Sequence, residues 1–468
     1  MNKQKKKGSF HGDKLKDRDF LGKEPIGKLL LKLALPTVLA QLVNLAYNLV
    51  DRIYIGHIDG FGADALTGIG VCAPVIMIVS AFAALTGSCG GPIASMELGR
   101  GNRDRAELVL GNCFCMQIIV SAILTAVLLI WNEDFLLAFG ASQKTIGYAS
   151  GYMGVYAVGT VFVQLTLGMG AFISCQGFAK TSMLTVVIGA SANIILDPIF
   201  IYGFDLGVEG AAIATVISQG LSCGFVMLFL TGKRTYLKLR LKNIRLQPKI
   251  FLPCVALGLS HFIMQASESV IGVCFNASLQ SYGGDIAVGA MAILMSVMQF
   301  AMLPMQGLAQ GSQPITSYNF GAKNQQRVKK SFTILLVTCL IYSTVVWAII
   351  MIFPRGIASV FTSDAALIDY TVGPLRIYCA VLLIFGIQVA CQMTFVSIGN
   401  AKSSIAVAVV RKFVLLLPLI YIVPGLCSDK ATGVYLAEPI ADLIAVTFTA
   451  ILFYFQFKKS LKKLTDEG

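Results

Sequence analysis

The sequence predicts an all-α polytopic membrane protein: twelve transmembrane helices in two six-helix bundles related by a parallel internal repeat. Three observations carry that expectation. The 468-residue chain is 56% hydrophobic and only 13% charged. Its apolar residues gather into twelve stretches, each long enough to cross a ~30 Å hydrocarbon core at about 1.5 Å per residue. Short motifs recur in the same order 222 residues later.

The expected spans are 27–54, 64–98, 108–131, 145–172, 178–203, 208–231, 250–281, 286–318, 328–353, 366–397, 403–424 and 432–457. A soluble chain of this length cannot hide twelve such helices in its core. The first bundle then covers 26–231 and the second 250–457. Residues 232–249 join them and hold seven Lys or Arg. Residues 1–25 and 458–468 are basic tails. The first 25 residues are polar and lack a short apolar core with a small-residue cleavage site, so they read as an unstructured head and not a cleaved leader.

The net charge of +13 is a topology signal, not a nucleic-acid footprint. The N-terminal tail through Lys28, the alternate connections (2–3, 4–5, 6–7, 8–9 and 10–11) and the C-terminal tail hold 29 Lys and Arg. The other six connections hold three: Lys144, Arg355 and Lys430. The positive-inside rule then places both termini and the 232–249 linker in the cytoplasm. A missed span would scramble this alternation, so it also checks the helix count. The same basic charge attracts anionic lipid headgroups.

Twelve cysteines and three histidines form no zinc or redox spacing; Cys113 and Cys115 are only a C-x-C pair. Nearly all the cysteines lie within spans, where they read as small packing residues. His261, in the seventh span, reads the same way.

The repeat is specific. Pro92-Ile93-Ala94-Ser95, Gly99 and Asn102 return as Pro314-Ile315-Thr316-Ser317, Gly321 and Asn324. Gly177, Ala179, Lys180 and Ser182 return as Gly399, Ala401, Lys402 and Ser404 at the same shift. Leu35-Pro36 echoes Leu252-Pro253. Six spans per copy give both halves one orientation, with a pseudo-two-fold axis along the membrane normal. Two such bundles can rock about their interface and expose a cleft to each side in turn.

Carboxylates fall inside the spans, and four stand out: Asp51, Asp197, Glu268 and Asp442. Charge in hydrocarbon is costly and marks ion or substrate pathways. Asp51 lies 23 residues beyond Lys28 and Asp197 17 beyond Lys180, about 35 and 25 Å along their helices, in the outer half of the bilayer. Asn193 is one turn before Asp197 on the same face, and Thr215 falls in the same layer on the sixth span. Pro198 interrupts the helical ladder and frees the Ile194 carbonyl. Carboxylate, amide and carbonyl oxygens together suit a proton or a monovalent cation. Asp51, Asn193, Asp197 and Thr215 are therefore the candidate cation-coupling site, with Na⁺ as the only metal considered. The competing structural reading pairs Asp51 with Arg52 and uses Asp197 to cap a kink. Glu268, Gln388, Glu438 and Asp442 form a candidate polar site in the second half, for which Arg376, Arg411 and Lys412 are potential salt-bridge partners. Glu97 reads as a solvated boundary residue.

These residues resemble the MATE (multidrug and toxic compound extrusion) transporters over residues 25–457. Asn48-Leu49-Val50-Asp51 with Gly56 is similar to that family's N-x-V-D-x-x-x-x-G signature. Pro92 to Gly99 and Gly177 to Lys180 look like its later landmarks. Asn193 to Pro198, then Gly203-Phe204 and Gly210-Ala211-Ala212, are similar to its Gram-positive multidrug branch. The resemblance implies a twelve-helix, monomeric antiporter in a bacterial cell membrane. It would need no cofactor, and would expel cationic or amphipathic compounds in exchange for H⁺ or Na⁺. It also implies that Asp51, Asn193, Asp197 and Thr215 hold the coupling ion. Another branch pairs an acid on helix 7 with one on helix 10; here helix 10 offers Gln388 and Gln392. Flippases of lipid-linked precursors share the helix plan but commonly carry a more cationic cavity, so a cationic export substrate is favoured over a lipid-linked or endogenous one. The chain has no H-E-x-x-H, G-x-S-x-G or Walker loop, which argues against an enzyme and against direct ATP drive. A two-fold repeat with unequal acids also argues against a channel.

Overall fold

The computed structural model describes residues 20–58 and 62–466. All regular secondary structure among them is helical. The first half contains α1 (Ile26–Gly56), α2 (Asp64–Gly99), α3 (Arg103–Ile130), α4 (Ile146–Ser174), α5 (Ala179–Gly203) and α6 (Gly207–Thr231). The next helical stretch runs from Pro248 to Gly321, 74 residues in all. That is more than twice the ~20 residues a bilayer needs. Gly284 resolves the excess: its φ of 65° and ψ of −161° break the helix at a conformation only glycine adopts cheaply. Gly258 lies against Leu85 and Gly321 against Met96, both on α2, so the chain reverses between them. The two arms are α7 (248–283) and α8 (285–321). The second half continues with α9 (Gln325–Ile352), α10 (Ala365–Tyr378 and Leu382–Ser397, bent by 50°), α11 (Ala401–Leu426) and α12 (Lys430–Asp466).

Twelve spans therefore stand where twelve were expected. Residues 458–466 continue the α12 helix into the stretch read as a tail. Of the expected N-terminal head, 1–19 lie outside the described residues, and Phe20–Lys23 forms a helical turn.

The repeated motifs have a physical meaning. Asn102 and Asn324 cap the N-termini of α3 and α9, each accepting a bond from a backbone N–H: Arg105 at 3.3 Å and Arg327 at 3.1 Å. Asn400 caps α11 in the same way through the Ser403 N–H. Gly99 and Gly321 sit where α2 and α8 cross. A Cβ on Gly99 would collide with the Tyr318 carbonyl, and one on Gly321 with the Met96 carbonyl. Tyr318 is the repeat equivalent of Met96, so the collision is reciprocal, as a two-fold axis requires. Small residues allow this backbone approach in a membrane. Gly307 and Gly311 do the same for α8 against Val38 and Ala34 of α1. The interface between halves is thus α1 and α2 against α7 and α8. Each half also has its own apolar core, around Tyr152, Met153 and Phe172 in the first and Phe275, Tyr378 and Tyr435 in the second.

The Lys- and Arg-rich end is tied down by buried polar groups. Arg327 donates to the carbonyls of Leu21 at 3.1 Å and Glu24 at 2.7 Å, fixing the segment before α1 onto the second half. The Phe20 ring packs on Gly177 of the first half. The 232–249 linker is held likewise: Gln176 accepts from the backbone N–H groups of Tyr236 and Leu237, and Glu107 pairs with Arg240 at 2.9 Å. Glu97 is not a solvated boundary residue. It is 3% exposed and pairs with Arg100 at 2.6 Å. Two of the three arginines that follow it, Arg100 and Arg105, supply the charge that lets it be buried.

Gly99→Ala and Gly321→Ala should each lower stability by about 1–3 kcal/mol, because each inserts a methyl against backbone that cannot yield. The double variant should cost less than the sum, since both methyls open the same crossing. Thermal unfolding of the three purified variants measures both effects.

Candidate functional site

Along α5 the buried residues Thr185, Gly189, Asn193 and Asp197 follow at four-residue spacing, one face of a helix turned inward. Pro198 ends the regular helix, and the chain continues as a π turn over Ile199–Gly203. The disruption expected from Pro198 thus takes the form of a widened turn, a feature common at functional sites. α6 presents Thr215, Ser218 and Ser222 to this face, all buried. Gly189 allows the approach, because a Cβ there would meet Ser222 Oγ.

The four expected residues converge. Asn193 Nδ2 donates to Asp197 Oδ1 at 3.0 Å and lies 3.4 Å from Thr215 Oγ1. The Asp51 carboxyl lies near that of Asp197, close enough for each to act on the other's charge. Asp197 is fully buried, and Asp51 is half-buried. Asp51 Oδ1, Asp197 Oδ2 and Asn193 Oδ1 are all buried and lack a donor. Two ionised carboxylates cannot bond one another. A proton shared by the two carboxyls, or a cation bound between them, would relieve that pair. Among the described residues no ion pair joins Asp51 to Arg52.

Sequence reasoning missed several neighbours. Tyr47 and Tyr152 lie near the acid pair and feel its charge. Tyr47 was findable, one turn before Asp51 on α1. Tyr152 carries no motif. A polar cavity of ≈170 Å³ opens beside the acids, with Gln41, Asn44, Tyr47, Asn193, Thr215 and Ser218 on its walls. Of the four expected residues, Asn193 and Thr215 line it and the two acids lie behind them.

The second-half acids are arranged differently. Arg411 pairs with Asp442 at 2.7 Å and Glu438 at 3.2 Å, and stacks over Phe385 at 4.7 Å. Lys412 pairs with Glu268 at 2.6 Å. A π turn over Val410–Leu416 carries both cations on one side of α11. Gln388 is buried without a partner for its Oε1, and Gln392 donates to Ser404 Oγ at 2.9 Å. Of the expected second-half residues, three are thus in ion pairs and Gln388 stands apart. Glu268 lies deep in the bundle, yet 41% of its side-chain surface is reachable by solvent, as on the wall of a cleft.

The family model MatE matches residues 36–199 and 261–422, one segment in each half. The chain belongs to the MATE family. Its relatives include the multidrug export protein MepA of Staphylococcus haemolyticus (strain JCSC1435), 24% identical over 429 residues, covering 92% of this chain and 93% of that protein. MepA of Staphylococcus aureus (strain NCTC 8325 / PS 47) is also 24% identical, over 93% of this chain and 95% of its own. A crystal structure of a MATE protein in the bent conformation superposes with a TM-score of 0.90 at 23% identity, over 96% of this chain and 99% of that one. An outward-facing multidrug resistance MATE transporter gives 0.87 at 23% identity, over 94% and 98%. These likenesses establish the two-bundle, twelve-helix fold. A MATE protein is a membrane transporter and not an enzyme.

Within this MATE chain, Arg411→Met should be among the most damaging single changes. It strands Glu438 and Asp442 together, and breaking one side of a buried ion pair costs about 3–5 kcal/mol. The unfolding midpoint of Arg411→Met against that of Lys402→Met, on the same helix but without those acids, checks this.

Proposed function

We propose that this protein is a secondary active antiporter of a bacterial cell membrane that exports cationic, amphipathic compounds in exchange for H⁺ or Na⁺. The observation that supports it most is the cation-free acid pair: Asp51 and Asp197, with Asn193 and Thr215, keep unsatisfied oxygens beside a polar cavity. The export of drugs is carried over from the staphylococcal relatives named for that activity. The two halves, each with its own core and joined across glycine-lined crossings, suit rigid-body alternating access. The protein acts as a monomer, since the repeat already supplies both sides of the cleft within one chain.

In this reading the coupling ion and the drug favour different conformations, so they compete without touching. Proton or Na⁺ on Asp51 and Asp197 favours the state that releases drug; their ionised form favours the state that binds it. Raising the pH empties the site and tightens drug binding. The second-half acids take little part, because Lys412 and Arg411 already pair with them.

The test uses purified protein in vesicles loaded with a fluorescent cation, with pH and Na⁺ gradients imposed separately. Wild type should drive efflux under one of them. Asp197→Asn, nearly isosteric but unable to ionise, should abolish efflux, leave the unfolding midpoint nearly unchanged and remove the pH dependence of dye affinity. Full efflux in a folded Asp197→Asn protein would remove the acid pair from the mechanism.

We propose further that both termini and the 232–249 linker face the cytoplasm, following the distribution of Lys and Arg. Lys242 lies exposed on that linker. In a cysteine-free background, Lys242→Cys should resist an impermeant thiol reagent added to intact cells and react once they are opened. Labelling from outside would invert the orientation.

A further inference from the structure

The lipid-facing side of the second half carries a charge that the transport mechanism does not use. On α12 the buried residues Tyr435, Glu438 and Asp442 turn inward toward Arg411. Leu436, Pro439 and Leu443 lie on the other face of that helix. They form one wall of an apolar groove of ≈410 Å³. The opposite wall is α10 at its 50° bend, where Arg376, Ala380 and Val381 face outward and Leu375, Tyr378 and Cys379 are buried. Every lining residue but Arg376 is apolar, so the groove faces acyl chains and not the cleft.

Arg376 is exposed and, among the described residues, has no ion pair or hydrogen bond. Its depth is fixed by a marker. Asp369, seven residues earlier on α10, pairs with Arg355 at 2.9 Å, and both side chains are more than half exposed, as in water. Arg376 is about 10 Å farther along the helix, at the edge of the hydrocarbon. An unpaired guanidinium there is costly, and its side chain is long enough to reach back to the headgroup layer. The anion available at that level is the phosphate of a lipid. A guanidinium suits it better than an ammonium, because its planar fork gives two parallel hydrogen bonds.

We propose that Arg376 and the α10–α12 groove form a binding site for an anionic phospholipid in the leaflet away from the basic connections. The guanidinium holds the phosphate, and one acyl chain lies in the groove over Ala380, Val381 and Leu443. The bend of α10 opens the groove at the level the chain enters. Coupling at Asp51 and Asp197 plays no part in this site.

The test follows the thermal unfolding midpoint of the purified full-length protein in detergent. It is titrated with phosphatidylglycerol, phosphatidylcholine or water-soluble glycerol 3-phosphate. Phosphatidylglycerol should raise the midpoint, phosphatidylcholine much less, and glycerol 3-phosphate not at all. Arg376→Gln should raise the phosphatidylglycerol concentration needed for half the shift by at least about tenfold, the value of a charge-assisted hydrogen bond. Arg376→Lys should fall between, and Arg355→Gln, an exposed arginine at the same end, should match wild type. Ala380→Phe fills the groove without touching the charge and should also weaken the response; it decides the matter if Arg376→Gln does not fold. Three results would each overturn the proposal. They are an equal response to phosphatidylcholine, a shift produced by glycerol 3-phosphate alone, and an unchanged response in both Arg376→Gln and Ala380→Phe.

Discussion

A carboxylate inside a hydrocarbon layer must find a partner, and the rest of this molecule follows from how its two halves meet that demand. The second half meets it with its own cations. Arg411 sits between Glu438 and Asp442, and Lys412 closes on Glu268, all but the last of these side chains buried. Among the described residues the first half forms no ion pair with Asp51 or Asp197, and offers Asp197 an amide backed by a hydroxyl. A cluster in which every acid has a cation partner is a fixed structural element. An acid pair with unsatisfied oxygens is one whose state depends on what arrives. The duplication therefore produced two frames with one geometry and two different electrostatic roles.

The frame itself rests on backbone proximity. Hydrophobic burial offers little to hold two bundles together in lipid, because acyl chains are as apolar as the side chains. Contact between helix backbones replaces it, and the reciprocal crossing of Gly99 and Gly321 is its centre. At the basic end the fastening is polar. Arg327 and Gln176 bond to backbone atoms of the segments that precede α1 and α7. Bonds of that kind can open and re-form as units, whereas packed side chains would have to be rebuilt. In the alternating-access reading, the glycine crossing serves as the fulcrum and the polar fastenings as the part that lets go.

Much of this was legible in the sequence, and for definite reasons. Span length, the segregation of Lys and Arg, and the repeat at a constant shift are long-range regularities, and each fixed part of the helix plan independently. Asn193 and Asp197 were legible because a spacing of four places them on one face. Thr215 was legible only through depth, and it lies 3.4 Å from Asn193 in the structure. Other features were hidden because they depend on packing. Tyr152 has no sequence signal for its place beside the acids. Glu97 looked like a boundary residue, since nothing local shows that Arg100 and Arg105 fold back over it. The π turn at Val410–Leu416 leaves no mark in hydrophobic periodicity, yet it lets consecutive residues Arg411 and Lys412 both face the interior.

The consecutive cations show how one local irregularity divides the labour between the halves. In a regular α-helix, neighbours point about 100° apart, so Arg411 and Lys412 could not both be held inward with ease. The π turn widens the helix there, and both side chains are buried, at 7% and 2% exposed. On α5, the repeat counterpart of α11, the π turn falls instead at Ile199–Gly203, past Asp197, and brings no cation with it. One widened turn thus imports the cations that pair with a site's acids, and the other imports none. An insertion of this kind changes a site's chemistry without disturbing the helix plan, because the extra residue is absorbed within a single turn. The asymmetry on which the proposed coupling depends is therefore compatible with a frame that stays symmetric at Gly99 and Gly321.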